Sequence, residues 1–422
     1  MLEKIGKNII DKCLLISVDT GEFDVAQSLS ELERLAATAG AIVIGTAVQK
    51  RPSPCNATYI GKGKLAEIGN FCEANDCNLL IFDAELTPSQ QRNIEMGSRV
   101  RTIDRTTLIL DIFAMNAKTS EGKLQVELAQ LKYLLPRLSG RGTEMSRLGG
   151  GIGTRGPGET KLETDKRYIR KRIDTLEQDL KELEKRRALL RKKREKAEIP
   201  QISIVGYTNA GKSTLLNTLT DAGVLTEDKL FATLDPTSRM LTLPGGRKTI
   251  LTDTVGFVSR LPHELVEAFK STLEEVALAS LILIVVDASD PEWDTQLEVT
   301  RQTIKSLGAE NTQTLTVFNK CDRVPRKNFL ISDKNTVKIS ALNKTGISRM
   351  LEKIEELLFG SRQLHTFFLP YSEGALTSEL KQYGNVISEQ FLDDGIHIEA
   401  ETDSILYSKL RSFVRDREEF DG

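Results

Sequence analysis

Apolar and polar residues alternate between strand-like and helix-like patterns over the first hundred positions of the chain. Short apolar runs are separated by segments in which apolar residues recur at helical spacing. A series of strands that alternate with helices predicts a parallel sheet covered by helices. We therefore assign residues 1–104 to an N-terminal α/β subdomain. The strand-like runs are "CLLISVD", "AIVIGTAV", "NLLIFDA" and "VRTID", and the helix-like ones are "VAQSLSELERLAATAG", "KLAEIGNFCEAN" and "TPSQQRNIEM".

Two later segments carry leucine and isoleucine at steps of four and three. This spacing gives each helix a narrow apolar stripe that needs a partner helix. A glycine-rich stretch closed by Pro157 separates the two segments, and proline cannot continue a helix. We therefore predict an antiparallel helical hairpin over residues 105–198, with a flexible tip at 139–158. The stripes comprise Leu124, Leu128, Leu131, Leu135 and Leu138, then Ile169, Ile173, Leu176, Leu180 and Leu183, with Leu162 and Leu190 in register.

Basic residues concentrate at two places in this hairpin. The tip carries Arg141, Arg147 and Arg155 among many glycines, and such a segment could follow a phosphate backbone closely. A solvated linker is the alternative. The run "KRRALLRKKREK" at 185–196 has eight basic residues and one acid. It is either the solvated face of a helix or an RNA contact, and its charge density favours RNA.

Strand and helix patterns return at residue 201 and continue to Gly360, so we assign 199–360 to a second α/β domain. After Ser361 the chain gives "TFFLPY", the helical "GALTSELKQYG", the strand-like "NVISEQFL" and "GIHIEAET", and a closing helix "SILYSKLRSFV". This order predicts a small α+β domain at 361–422. The fold class is thus α/β and multidomain.

The stretch "GYTNAGKS", Gly206–Ser213, matches the phosphate-loop pattern G-x-x-x-x-G-K-[ST] between a strand and a helix. In this motif backbone N–H groups turn toward the phosphates. Lys212 would reach the β- and γ-phosphates, and the Ser213 hydroxyl would bind Mg²⁺. The shorter "GKGK" at Gly61–Lys64 lacks the full pattern, and we interpret it as a turn into a helix.

The choice of guanine comes from "NKCD" at the end of a strand-like run. The Asp322 carboxylate can accept hydrogen bonds from guanine N1–H and the exocyclic amine, whereas adenine would leave it unpaired. Asn319 would meet the N7/O6 edge and fix the loop, and Lys320 would pack over the base. "ISA" follows another strand, and the Ala341 N–H could meet guanine O6. These motifs together predict a GTP-binding domain.

The segment "LTDTVGF" completes the site. Asp253 can hold the Mg²⁺ shell through water, and the Gly256 N–H can sense the γ-phosphate. Thr233 in "FATLDPT" is the favoured residue to close on Mg²⁺ and position water, with Thr237 as the rival. The expected catalytic residues are Lys212, Thr233 and Gly256. The expected nucleotide-binding residues are Gly206, Tyr207, Thr208, Asn209, Ala210, Gly211, Lys212, Ser213, Thr214, Asp253, Thr254, Val255, Gly256, Asn319, Lys320, Asp322, Ser340 and Ala341.

Phe257 occupies the position at which Ras-like enzymes carry a water-orienting glutamine. A phenylalanine can neither donate nor accept a hydrogen bond, so hydrolysis is either negligible or slow until a partner completes it, and we favour the second option. Asn209 could hold K⁺ near the β/γ-phosphates and supply part of the missing charge.

Composition limits the remaining possibilities. The 422-residue chain has a formal net charge of -2, so any nucleic-acid contact must be local. Five scattered cysteines and three isolated histidines do not form a zinc pattern, and free thiols fit a reducing compartment. No apolar run approaches the ~20 residues that span a bilayer. We expect a monomer in the cytoplasm, in part at the membrane surface.

These motifs together resemble the HflX family, in the Obg-HflX superfamily of TRAFAC-class P-loop GTPases. The resemblance runs nearly end to end, and the hydrophobic residue at Phe257 follows the family pattern. The motifs outside the generic GTPase set are "DRTTLILDIFA", "EGKLQVELAQLKYLLPRL" and "GGGIGTRGPGETKLETD".

The resemblance implies a central Ras-like G domain, binding to the large (50S) ribosomal subunit and its rRNA, and splitting of stalled 70S ribosomes after stress. It also implies that the tip approaches the peptidyl transferase centre and that the subunit stimulates GTP hydrolysis. Two alternatives stay open: a regulatory GTPase that recruits a protein partner, and an RNA-remodelling ATPase.

Overall fold

The computed structural model describes residues 10–138, 157–195, 199–220, 230–231, 236–258, 260, 275–324 and 334–415; within 157–195 it describes the side chains of 163–187 and 189. The chain divides into two compact units. The first comprises Met1–Arg191, Glu227–Asp235 and Val258–Ser271, and the second comprises Lys192–Thr226, Pro236–Phe257 and Thr272–Gly422.

The first unit is built on a parallel four-stranded sheet in the order β2-β1-β3-β4. Strands and helices alternate along the chain as the sequence predicts. The elements are β1 Lys12–Asp19, α1 Val25–Thr38, β2 Ile42–Lys50, α2 Lys62–Ala74, β3 Leu79–Phe82, α3 Pro88–Ser98, β4 Arg101–Asp104 and α4 Arg105–Asn116.

Local signals in the sequence account for the starts of these helices. Asp24 caps α1 by accepting hydrogen bonds from the backbone N–H groups of Ala26 and Gln27. Thr87 and Gln90 form a capping box at the start of α3, which satisfies two backbone donors that a helix end otherwise leaves open. Gly61 is the residue before α2, so "GKGK" begins a helix.

Helix α4 packs against this sheet as well as against the helix that follows it. The sequence pattern predicts one hairpin over residues 105–198, but α4 also contacts α1 and strands β3 and β4. It is buried on most of its surface, because the run "LILDIF" is apolar nearly all round, as in helices covered on both sides. The hairpin therefore starts after α4.

The hairpin consists of α5, Ser120–Arg137, and α6, Pro157–Glu195. Glu121 pairs with Arg187, and Lys132 pairs with Glu177, so residue numbers rise on one helix as they fall on the other. The predicted antiparallel arrangement is confirmed. At 1.5 Å per residue, α5 is ~27 Å long and α6 ~58 Å, so α6 extends well beyond its partner.

The predicted leucine seam lies between the two helices. Leu128 and Leu176 are buried, and the other described seam residues are half-buried. Arg172 Nε and Nη2 each donate to the Glu127 carboxylate at 2.7 Å. A two-helix contact can cover only one stripe of each helix, which explains why most of α6 is exposed to solvent.

A buried charge cluster lies at the carboxyl ends of β3 and β4 in the first unit. Arg105 is 3% exposed and donates to Asp83 Oδ1 at 3.0 Å and to Glu31 Oε1 at 2.5 Å. Arg260, from the segment that follows Phe257, donates to Asp83 Oδ2 at 2.7 Å. The fully buried Asp83 thus carries two guanidinium partners.

The second unit contains a six-stranded sheet in the order β10-β9-β8-β5-β7-β6, in which only β6 runs antiparallel to its neighbour. Its core is formed by the inward faces of these strands and by the helices that cover them. The elements are β5 Gln201–Gly206, α7 Lys212–Thr220, β6 Thr237–Thr242, β7 Lys248–Asp253, β8 Leu281–Asp287, α8 Trp293–Ser306, β9 Gln313–Asn319, β10 Thr336–Lys338 and α9 Ile347–Phe359.

The last part of the chain forms the predicted α+β domain within the second unit. Its antiparallel sheet has the order β11-β13-β12, and its core packs one face of that sheet against two helices. The elements are β11 Gln363–Pro370, α10 Gly374–Tyr383, β12 Asn385–Phe391, β13 Gly395–Thr402 and α11 Ser404–Leu410.

Within the described ranges, no helix is both long enough and apolar enough to cross a membrane. The same ranges contain no group of three or more His, Cys, Asp or Glu side chains placed to hold a metal ion.

Candidate functional site

The phosphate loop lies between β5 and α7, at the carboxyl edge of the central strands. Lys212 is 6% exposed, and its Nζ donates to the carbonyl oxygens of Gly206 at 3.1 Å and Tyr207 at 2.8 Å. Burial lowers the pKa of the Lys212 ammonium group to about 8, although the Asp253 carboxylate opposes this shift. The loop therefore holds a cation at its centre, as phosphate binding requires.

The segment after β7 pairs directly with this loop. Thr208 N donates to Phe257 O at 2.8 Å, and Phe257 N donates to Gly206 O at 3.1 Å. A Cβ on Gly256 would lie 2.7 Å from Thr208 Cγ2 and 2.9 Å from Lys212 Nζ, so only glycine fits this close approach. Gly256 thus lies against Lys212, the lysine expected to reach the β- and γ-phosphates.

Phe257 itself is 2% exposed. Its ring belongs to the core of the domain, and its backbone is held by the two hydrogen bonds to the phosphate loop. This side chain therefore contributes no polar group to the position from which a Ras-like enzyme orients water.

Ser213 and Asp253, the magnesium pair expected from the sequence, contact each other directly. The Ser213 hydroxyl donates to Asp253 Oδ2 at 2.8 Å, and Asp253 is fully buried at the end of β7. A hydroxyl and a carboxylate are hard oxygen donors of the kind that Mg²⁺ prefers. The Thr208 hydroxyl of the loop is buried with no hydrogen-bond partner among the described residues. These residues fit Mg²⁺ bound together with a triphosphate.

The guanine motifs meet at the other end of the phosphate loop. Asn319 Nδ2 donates to Ala210 O at 3.0 Å, and Asn319 Oδ1 accepts from Ala341 N at 2.9 Å. Lys320 Nζ donates to Asn209 O at 2.8 Å. Asn319 thus ties three loops together, and Ala341 N–H, which was expected to be available for guanine O6, is engaged by Asn319 in this structure.

Asp322 lies just beyond these contacts and is exposed. It is the middle residue of a short 3₁₀ turn, Cys321–Arg323, after β9, and its side chain is in contact with solvent. Asn209 is also exposed and has a left-handed backbone, φ 62°.

The structure accounts for most of the other expected site residues. Tyr207, Thr208, Ala210, Thr254, Val255 and Ser340 are buried, whereas Gly211, Ser213 and Thr214 are half-buried. The Thr254 hydroxyl donates to Ile204 O at 2.7 Å. Thr237 is the first residue of β6 and pairs with Asp253. The residues outside the described ranges are Thr233, Arg141, Arg147 and Arg155.

One functional residue was missed by sequence reasoning. Asp287 ends β8, and its Oδ2 accepts from Lys320 Nζ at 2.7 Å, so it helps to hold the guanine loop. The signal was present in the sequence, because "LILIVVD" is an apolar strand that ends on an aspartate, as "TILTD" is.

Comparison with known proteins agrees with this site. Three family models match consecutive parts of the chain: a GTP-binding GTPase N-terminal region at residues 26–114, a GTP-binding GTPase middle region at 116–194, and a 50S ribosome-binding GTPase at 201–320.

Curated relatives match over nearly the whole length. GTPase HflX of Caldanaerobacter subterraneus is 51% identical over 96% of this chain and 94% of its own length. GTPase HflX of Escherichia coli is 43% identical over 87% of this chain and 88% of its own length. With a phosphate loop, a magnesium pair and a guanine loop in one domain, and with these relatives, the chain belongs to the HflX family of GTPases and is an enzyme that hydrolyses GTP.

Proposed function

We propose that this GTPase binds the large ribosomal subunit in its GTP state and splits or rescues stalled ribosomes. Ribosome-stimulated hydrolysis to GDP would then release it. The observation that carries the proposal is the match of residues 201–320, from strand β5 through Lys320 of "NKCD", to the family model of 50S ribosome-binding GTPases. The partners would be the 50S subunit with its rRNA and the 70S ribosome, and the protein would act as a cytoplasmic monomer.

In this proposal Ser213 would hold Mg²⁺ directly, and Asp253 would hold it through water. Thr233 would close on the ion and position the attacking water through its carbonyl group. The segments on either side of the β6–β7 hairpin would take up their GTP conformation through these contacts. Thr237 is the weaker candidate, because its place in the β6 ladder opposite Asp253 fixes its backbone in a strand. Binding energy gained in the GTP state would separate the subunits, so the chemical step would not be needed for splitting.

Slow hydrolysis by the free protein follows from the site. The buried Phe257 cannot orient water, so we propose that the ribosome completes the catalytic arrangement. The test is GTP turnover under saturating GTP, with and without purified large subunits. We expect an increase of at least about 100-fold with the subunits, within the range that an added stabilising group supplies. Equal rates would refute the stimulation.

A K⁺ ion near Asn209 is part of the same proposal. Asn209 is exposed at the mouth of the phosphate loop, where its side-chain oxygen can meet a cation beside the β/γ-phosphates. Turnover should then be faster in K⁺ than in Na⁺ buffer, and Asn209→Ala should remove the difference. Equal rates in the two buffers for the unaltered protein would remove K⁺ from the mechanism.

The hairpin would supply the RNA contact. The two helices pack their apolar stripes against each other, with Leu128 and Leu176 buried, so these two leucines are not available to a foreign helix. This favours the ribosome over recruitment of a protein partner through the heptads. Arg141, Arg147 and Arg155 of the tip, with the basic run at 185–196, would meet rRNA phosphates.

Co-sedimentation with purified large subunits tests the hairpin directly. The GTP-analogue form should sediment with the subunits, and deletion of residues 139–158 should weaken the association. A matched control is Arg141→Lys with Arg155→Lys, which keeps the charge and should retain most of the binding. Undiminished binding after the deletion would assign the contact to another part of the protein.

A further inference from the structure

The β6–β7 hairpin joins two places in the second unit. At its open end Thr237 pairs with Asp253, the carboxylate that bonds Ser213 in the magnesium pair. At its closed end Leu243 N donates to Arg247 O at 2.8 Å and forms the turn. Six residues per strand at ~3.3 Å each give a span of ~20 Å between the two ends. The hairpin also lies between the two segments expected to sense the nucleotide.

The C-terminal α+β domain contacts the closed end of the β6–β7 hairpin. Arg247 Nε donates to Asp403 Oδ2 at 2.6 Å, and Arg247 Nη2 donates to Asp403 Oδ1 at 2.8 Å. The side chains are 14% and 3% exposed. A planar two-point bond of this kind fixes orientation as well as distance. The guanidinium also lies over two rings, Phe359 at 4.8 Å and Tyr383 at 5.2 Å.

A second contact holds the neighbouring residue of the turn. Gly245 N donates to Glu355 Oε2 at 3.0 Å, and Glu355 Oε1 accepts from Arg362 Nη2 at 3.0 Å. A Cβ at Gly245 would lie 1.6 Å from Arg362 Nη2 and 2.1 Å from Glu355 Oε1. The backbone of the turn therefore packs directly against these side chains and leaves no space for a Cβ at Gly245.

The contact between Arg247 and Asp403 connects three parts of the fold: the β6–β7 hairpin, α9 and α11. Asp403 also caps α11 by accepting from Leu406 N at 2.8 Å, and Ser404 Oγ donates to Phe359 O at the end of α9 at 2.8 Å. The same carboxylate thus organises the start of a C-terminal helix and binds the hairpin. A displacement of α11 must move Arg247 or break a buried ion pair, and breaking such a pair is costly.

We propose that Arg247 and Asp403 couple the C-terminal domain to the nucleotide site through the β6–β7 hairpin. The position of the C-terminal domain would then set the ratio of the affinities for GTP and GDP. Arg247 is a positioning residue in this scheme: it acts through the hairpin on Asp253. The proposal rests on GTP binding alone and is independent of the ribosome.

Coupling of this kind acts in both directions. If the nucleotide shifts the hairpin, the C-terminal domain responds; equally, any partner that binds and displaces the C-terminal domain changes the relative affinity for GTP and GDP by the same factor. This arrangement would give the C-terminal domain a role in the nucleotide cycle.

The test is the ratio of the Kd for GDP to the Kd for a non-hydrolysable GTP analogue, measured by fluorescence titration. Two conservative variants are used. Arg247→Lys keeps the charge but loses the two-point bond, and Asp403→Asn keeps an oxygen to cap α11. We expect each to change the ratio by about fivefold or more, the lower end of typical coupling between sites. Lys409→Ala is the control, because it removes a pair with Glu379 inside the C-terminal domain and should leave the ratio unchanged.

Hydrogen exchange provides a second measurement, made on the unaltered protein and on Arg247→Lys. Exchanging GDP for the analogue should change the protection of backbone amides in α11 and at the 243–247 turn, and Arg247→Lys should abolish the change in α11. If the Kd ratio of both variants lay within twofold of the ratio for the unaltered protein, the proposal would be overturned, and the Arg247–Asp403 contact would be purely structural. Identical exchange in α11 with the two nucleotides would overturn it as well.

Discussion

The Lys212 ammonium group illustrates how burial sets up a phosphate site at the scale of one residue. It is surrounded by backbone carbonyl oxygens, and burial lowers its pKa to about 8. Bound phosphates favour the charged form and raise the pKa of this lysine. Nucleotide binding is therefore expected to take up a proton in the pH range between about 8, the pKa of the free site, and the higher pKa of the bound site.

This linkage predicts that nucleotide affinity falls as pH rises. Below the pKa of the free site the lysine is already charged and affinity is constant; above it, the proton must be supplied first. With a free pKa of about 8, the Kd for GDP should rise about tenfold between pH 7 and pH 9. Fluorescence titration checks this, with GMP as the control, because GMP lacks the phosphates that Lys212 reaches. A flat profile for GDP would contradict the lowered pKa.

Base selectivity is the second property that depends on one side chain. Asp322→Asn replaces the acceptor for guanine N1–H and the exocyclic amine. The ratio of the affinities for GTP and XTP should therefore move toward XTP by about 100-fold or more, because an unpaired polar group in a base pocket is costly. Competition against labelled GTP measures the change. Arg323→Ala, at the next and also exposed position, should leave selectivity as it is. Unchanged selectivity in Asp322→Asn would show that the base pocket lies elsewhere.

The sequence motifs predict which residues form the site, but they do not predict the hydrogen bonds among them. The motifs pointed to Lys212, Asp253 and Asn319. They did not show that Asn319 uses both ends of its amide to bind Ala210 and Ala341. Those partners lie far away along the chain, and only the packed sheet brings the loops together.

At the scale of elements, the stability of the helical hairpin α5–α6 depends on the narrow apolar seam between its two helices. Leu176 is fully buried there, whereas Leu189, on the same helix, is 64% exposed. Leu176→Ala should lower the free energy of unfolding by about 2–5 kcal/mol, because it removes buried apolar area and leaves a cavity. Leu189→Ala should change it by no more than about 0.5 kcal/mol.

Chemical denaturation followed by circular dichroism measures both leucine variants. An equal effect of the two substitutions would contradict the seam described here.

Periodicity predicted the elements well where one face is buried and poorly where it is not. The alternation before residue 104 and the heptad stripes correspond to observed strands and helices. Strand β6 was not predicted, because "TSRMLT" is an edge strand with mostly exposed or half-buried side chains, so its apolar signal is weak. Helix α4 was grouped with the hairpin because an all-round apolar helix has no distinctive period.

At the scale of the whole molecule, the chain crosses between its two units on both sides of the β6–β7 hairpin. Residues 227–235 and 258–271 belong to the first unit, whereas the β6–β7 hairpin, the phosphate loop and the guanine motifs belong to the second. The contacts of Phe231 with Asn116, and of Arg260 with Asp83, lie in the first unit. A change at the γ-phosphate thus occurs in a segment that continues directly into the unit that carries the helical hairpin.

The central claim is that the bound nucleotide controls the affinity for the ribosome. Its most direct test is a titration of large ribosomal subunits with the full-length protein, loaded either with GDP or with a non-hydrolysable GTP analogue in Mg²⁺ buffer. The account predicts at least about tenfold tighter binding in the analogue form, within the usual range of coupling between two sites. Equal affinities for the GDP and analogue forms would contradict it.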